Sequence, residues 1–307
     1  MRKMLWLLSV GFQCAAALQT IDLTAQYAQN TPTVLNEAAF ARLAEASIRA
    51  GRALELKGRT VLLNNNFKPK GALHLMGPGR IDGTGHSVFQ LGGRRQRMSL
   101  TGVEIRHLCV SDDRREVGAA IFALGNSRVD LANCSVSSLR GYGVWIVQRG
   151  SVTAKHCLVS DCGRSGIVSF GDGSIVLDHC HVSRAAVHGV CVRGRSSVDI
   201  IASTISDSGT RGIYAYHNAT LRMRDSTVTG TQDPSAHAVQ VEALRSEDTV
   251  RLLIEDCRID GNRGGGLLTA GNVVRESAIS SFAFKEVVGR KVAVGSLREE
   301  RGHVDPK

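Results

Sequence analysis
An all-β solenoid of stacked parallel strands, a single-stranded parallel β-helix with coils of about 23 residues, is the fold this 307-residue sequence predicts. Three observations carry that reading. Rows begun at Arg128, Ser151, Ser174, Ser197 and Thr220 align column by column, and the first four run without gaps, each as long as the stretch from Arg128 to Gly150. A period this strict marks units that bury their apolar faces only against one another. Within each row the apolar residues alternate, as in Val144 with Ile146 and Val190 with Val192, which is the period of a strand. The columns are chemically uniform: Val129, Val152, Ile175, Val198 and Leu221; then Cys134, Cys157, Cys180, Ser203 and Ser226; then Val136, Val159, Val182, Ile205 and Val228. No row has helical periodicity, which excludes helix-pair and leucine-rich solenoids.

The cysteine column reads as an internal ladder of small side chains. Gly143, Gly166, Gly189 and Gly212 form a column at a tight corner, where a positive φ or a close backbone approach is needed. With the rows Cys-x-Val-Ser and Gly-Val-x-Val, and with Gly77-Pro-Gly-Arg-Ile-Asp-Gly83 upstream, the chain resembles the right-handed parallel β-helix, or pectin-lyase-like, superfamily from Leu54 to Ser281. The resemblance implies right-handed coils and a helix plugging the N-terminal end. It leaves chemistry open, because the superfamily holds lyases, hydrolases, epimerases and plain binding modules.

Taken in order, residues 1–17 read as a signal peptide: Arg2 and Lys3, an apolar run from Met4 to Phe12, then Ala15-Ala16-Ala17. That predicts a secreted or extracytoplasmic protein. Removing Cys14 leaves seven of the eight cysteines, and stacked neighbours in one column seldom meet disulfide geometry, so free buried thiols are expected. C-x-x-C spacing is absent, and neither metal nor cofactor is expected. Residues 18–53 form a cap whose helix runs from Thr33 to Ala50, with Leu35, Ala38, Ala39, Leu43, Ala46 and Ile48 on its apolar face and Gly51 as its stop. Residues 54–282 form the β-helix. Its first coils point Val61, Leu62, Leu63, Leu73, Leu75, Ile81, Val88 and Leu91 inward. The coils begun at Met98 and Leu221 are longer than the regular rows by the same amount, and the surplus falls at Ser111–Glu116, Thr231–Ser235 and Ala243–Asp248. Residues 283–307 read as a C-terminal cap and tail.

Insertions in a solenoid become loops on one face. The Ser111 and Thr231 loops leave the same corner four coils apart, about 19 Å at the strand spacing. They wall a groove floored by the coils between them. Along that floor the outward columns hold Tyr142, Ser165, His188 and Arg211; Trp145, Val168, Cys191 and Tyr214; Val147, Phe170, Arg193 and Tyr216. The candidate substrate-binding residues are therefore Tyr142, Trp145, Arg193, Tyr214 and Tyr216, since aromatic rings beside arginines suit sugars carrying carboxylate or sulfate. The candidate catalytic residues are Asp161, His188, Asp207 and Arg211. Asp161 and Asp207 share a column two coils apart, about 9.6 Å by stacking, near the range of roughly 6.5–9.5 Å seen for inverting glycosidases. Asp112-Asp113 and His188-Gly189 resemble polygalacturonase elements, but the Asn-x-Asp and Arg-x-Lys elements of that family are missing at matching intervals. No acidic cluster for calcium lies on neighbouring coils.

The formal net charge of +10 favours acidic partners. Nucleic-acid motifs are absent, and no transmembrane run occurs beyond the N-terminus. The expected function is binding of an anionic polysaccharide; the sequence leaves open whether the protein also processes it, as a polysaccharide lyase or glycoside hydrolase. The rival is a non-catalytic β-helix scaffold for protein or cell-surface interactions.

Overall fold
The computed structural model describes residues 20–21, 34–93, 96–109, 118–275 and 282–283. The leader-like segment, the Ser111–Glu116 loop and the tail from residue 284 lie outside the described residues. The chain winds into a right-handed parallel β-solenoid of about ten turns. Each regular coil lays down three strands. The first face holds Arg128–Ala132, Ser151–Lys155 and their successors, and the second holds Ser135–Ser138, Leu158–Cys162 and theirs. These two faces merge into one sheet, while the third face, with Tyr142–Gln148 and Ile167–Gly171, is a separate sheet of eight strands. The register follows the columns: Val129 pairs with Val152 and then Ile175, and Val144 with Ile167 and then Val190. Coil by coil, the inward valines and isoleucines stack into a single core.

The cysteine column does more than fill space. Cys134, Cys157 and Cys180 are buried at the corner between the first and second faces. The Cys157 side chain both donates and accepts: its Sγ donates to the Lys155 carbonyl at 3.2 Å and accepts from the Cys134 amide at 3.4 Å. Ser203 does the same, donating to the Ile201 carbonyl at 2.7 Å and accepting from the Cys180 amide at 2.9 Å. Thiol and hydroxyl are interchangeable in this column because both satisfy corner backbone groups that would otherwise be buried unpaired.

The residues just before the column, Asn133, His156 and His179, carry the positive φ of the corner at 52°, 51° and 53°. Gly143, Gly166, Gly189 and Gly212 have no such φ, so close approach is what their column requires. A Cβ on Gly189 would lie 2.5 Å from Ile205 Cγ2 and 2.7 Å from the Gly212 carbonyl oxygen of the next coil. Gly189→Ala is therefore expected to cost about 1–3 kcal/mol through overpacking. Urea unfolding reads this as a lower midpoint at constant slope, and a variant as stable as the parent would show that the coils part there without penalty.

The N-terminal helix, α1, spans Glu37–Ala50. It begins four residues later than the pattern suggests. Asn36 is its N-cap, its side chain accepting from the Ala39 amide at 2.9 Å, and Gly51 closes it in the left-handed conformation. Val34–Asn36 is a strand paired with Thr60–Leu62, so Leu35 is buried as a strand residue. The buried stripe of α1 is Phe40, Ala44 and Ser47, flanked by Ala39, Leu43 and Ile48, and Ala38 faces solvent. Phe40 stacks edge-on over Phe67 at 4.9 Å, and Phe67 over Phe89 of the third face at 6.1 Å. The helix thus covers the end of the third face. Leu62 is exposed rather than inward, because strand alternation turns Val61 and Leu63 into the core and leaves Leu62 outside.

Candidate functional site
The outward surface of the third face carries most of the aromatic side chains of the regular coils. Phe122 and Trp145 lie 4.9 Å apart, and Tyr142 and Trp145 5.3 Å apart. Three coils on from Trp145, Tyr214 stacks on Tyr216 at 4.5 Å, and His188 lies 5.4 Å from Tyr214. Between these aromatic groups the columns hold small residues, Ser165, Val168 and Cys191. The result is a notch of about 170 Å³, bounded by Tyr142, Arg164, Phe170, His188, Tyr214 and Tyr216. It exists because strand alternation aims one residue in two outward, and the stacking register sets small side chains between large ones.

Guanidinium groups border the notch. Arg211 lies over the Tyr214 ring at 4.6 Å and Arg193 over Tyr216 at 5.7 Å. Arg211 also donates to the Gln240 side-chain carbonyl; the Gln240 amide donates to Glu242 at 2.6 Å, and the Tyr214 hydroxyl donates to the other Glu242 oxygen at 2.7 Å. Burial and the neighbouring Glu242 carboxylate push the Tyr214 phenol well above its ordinary pKa. Burial, and then the Arg211 cation, push the His188 imidazole down to about 4. Its Nδ1 is buried without a hydrogen-bond partner, as is Trp145 Nε1. Cys191 is a neutral thiol, raised to about 12 by burial. At neutral pH the notch therefore presents apolar rings, an uncharged imidazole and a cationic rim.

The sequence model for "right handed beta helix region" matches residues 91–251, more than half of the chain. The chain belongs to the right-handed β-helix family. No curated protein matches it in sequence. Among solved structures, this β-helix is similar to the crystal structure of the Agl-KA catalytic domain, with a TM-score of 0.56 and 13% identity over 78% of this chain. It spans about half of that domain, 54%. Looser likenesses are the Azotobacter vinelandii mannuronan C-5 epimerase AlgE4 A-module and the periplasmic alginate epimerase AlgG. Their TM-scores are 0.45 and 0.31, at 14% and 12% identity, covering 81% of this chain in both cases and 95% and 83% of theirs.

On this β-helix the structure gathers Tyr142, Trp145, His188, Arg193, Arg211, Tyr214 and Tyr216 onto one surface. Asp161 and Asp207 stand outside it, at the corner between the second and third faces, where both adopt a φ of 53°. The coil between them contributes Arg184, which grips both oxygens of Asp161 at 2.7 and 2.8 Å and holds its carboxyl below the usual range. The Thr231–Ser235 loop does leave the corner that opens onto the third face. The opposite loop and the Asp112-Asp113 pair lie outside the described residues.

Gln240 and Glu242 escaped the column reading because the Thr231–Ser235 insertion precedes their strand. Tyr214 pairs with Gln240 and Tyr216 with Glu242, further along the chain than the regular coil spacing would place their partners. Carrying that surplus through the register would have found them. Among the described residues, Glu242 is the one carboxylate on the outward positions of the third-face strands.

The His188 environment predicts a pH dependence. The unfolded imidazole titrates near 6.5 and the folded one near 4, so the unfolded chain binds more protons between those values. Stability from this group is intact above pH 6.5 and is lost as pH falls toward 4, by up to about 3 kcal/mol. In His188→Asn the fall of unfolding free energy across that window is expected to be shallower by a similar amount. Parallel curves for the two proteins would contradict the buried neutral imidazole.

Proposed function
We propose that the third-face notch binds an acidic polysaccharide, with sugar rings against Tyr142, Tyr214 and Tyr216 and uronate or sulfate groups on Arg164, Arg193 and Arg211. The observation carrying this reading is a small-residue notch between aromatic walls with a guanidinium rim. Aromatic faces cover the apolar faces of sugars, and the planar fork of arginine matches a carboxylate. Among the described residues, the carboxylate on the outward positions of the third-face strands, Glu242, is already engaged by Tyr214 and Gln240. The net charge of +10 draws such a polymer to the surface. The leader-like start, Arg2 to Ala17, fits an encounter outside the cytoplasm.

Binding, rather than hydrolysis, is the role we assign. A two-carboxylate mechanism needs a second acid on the notch, and Asp161 and Asp207 stand apart from it. A glycan array run at low and high salt tests the reading. Binding to uronic-acid or sulfated glycans that weakens with salt is expected. Silence across acidic glycans would overturn it in favour of a scaffold that binds proteins.

A further inference from the structure
A second and larger cavity, about 640 Å³, lies where the third face turns into the first. Leu124, Asn126, Gln148, Arg149 and Asp172 line it together with corner glycines. The corner stays free of overhanging side chains in part because Gly171 and Gly194 sit at φ 121° and 78°, where a Cβ is disfavoured. This cavity and the notch adjoin: Phe170 lines the notch, and its chain neighbour Gly171 lines the cavity. They are offset along the solenoid. The cavity runs from the coil of Gly93 to that of Gly171, and the notch from the coil of Tyr142 to that of Tyr214 and Tyr216.

The corner also has a surplus of positive charge. Asp172 is held by Arg195 through two bonds of 2.9 and 3.2 Å, while Arg149 stands 4.0 Å from the same carboxylate with its side chain 73% exposed. One carboxylate is therefore shared by two guanidiniums. Arg149 makes only the longer contact, which leaves its fork available to an incoming anion.

We infer that this corner is a second subsite for the same acidic polymer, so that a linear chain crosses the third face obliquely from the Tyr214–Tyr216 wall to Arg149. The inference rests on the notch reading above. Arg149 lies three coil steps from the coil of Tyr214, about 14 Å at the strand spacing, and the Gly93 end of the cavity lies five steps away, about 24 Å. The notch supplies aromatic stacking. The corner supplies one guanidinium and the amides of Asn126 and Gln148, and so sets how strongly affinity depends on chain length.

Titration with oligouronates of increasing length tests this. In the parent protein, oligomers spanning about 24 Å or more, enough to reach the Gly93 end of the cavity, are expected to bind about tenfold tighter than ones short enough to fill the notch alone. Arg149→Glu with Asn126→Ala should abolish that gain and leave short-oligomer affinity unchanged. Both positions are solvent-facing corner residues, so an unchanged melting curve is the control. A parent protein that binds short and long oligomers equally overturns the subsite while leaving the notch standing, and so does a double variant that keeps the gain. Failure of the parent to bind short oligouronates removes the notch reading, and the subsite with it.

Discussion
Val159→Asp is expected to break the solenoid. Val159 is fully buried on the second face, stacked between Val136 and Val182, with no polar group of the inward column beside it. An unpaired carboxylate there costs about 3–5 kcal/mol even when it escapes by taking up a proton. In a solenoid each coil is held by its two neighbours, so a central lesion separates the stack into halves whose new ends are uncapped. Chemical denaturation should show a large fall in midpoint or two separated transitions. Cys157→Ser provides the contrast. Ser203 and Ser226 already occupy that column and make the same pair of hydrogen bonds, so this change should cost under about 1 kcal/mol. If both variants unfold alike, the cysteine column is a packing column and the hydrogen-bonded corner is misread.

Tyr214→Ala is expected to weaken acidic-glycan binding by roughly ten- to hundredfold while the fold survives. The ring projects outward from the third face, so its loss leaves the core column of Ile213 and Ala215 intact. It takes away one wall of the notch and the aromatic surface under the Arg211 guanidinium, and releases Glu242 from its phenol. A carboxylate freed in this way repels an anionic ligand, so the rim loses twice. Tyr214→Phe separates the two effects: the platform remains and the hydroxyl goes, and a smaller loss is expected. Affinities measured at one ionic strength, with melting temperature as the control, decide it. Undiminished binding by the alanine variant would place the ligand elsewhere.

The coil architecture was legible because a strict period over four rows leaves each column a single environment. That logic predicted the register of the faces except at the end of the second, where a bulge pairs Ser138 with Cys162 instead of Asp161, and it failed again where the period was interrupted. The insertion ahead of the His237–Glu242 strand hid Gln240 and Glu242. Near the N-terminus, where no repeat constrains the reading, the apolar run Val61-Leu62-Leu63 looked wholly inward, and strand alternation exposes its middle member. Column reading also identifies neighbours without saying what they do to one another. Asp161 and Asp207 look like a pair two coils apart, but Arg184 on the intervening coil binds Asp161 through two bonds. The notch itself depends on side-chain size across adjacent coils. A column list contains that information, yet it becomes a shape only when Tyr142, Val168, Cys191 and Tyr214 are set side by side.

Three of the four tyrosines in the chain, Tyr142, Tyr214 and Tyr216, border the notch. Hydroxyl-radical footprinting with and without a polyuronate therefore tests the central claim directly. His156 and His179, whose rings lie 5.0 Å apart on the corner between the first and second faces, serve as the internal reference. Protection of the three tyrosines with unchanged oxidation of both histidines is the expected result. Bound polymer that leaves the tyrosines as reactive as before, or that protects the histidine corner instead, would contradict the assignment of the third face.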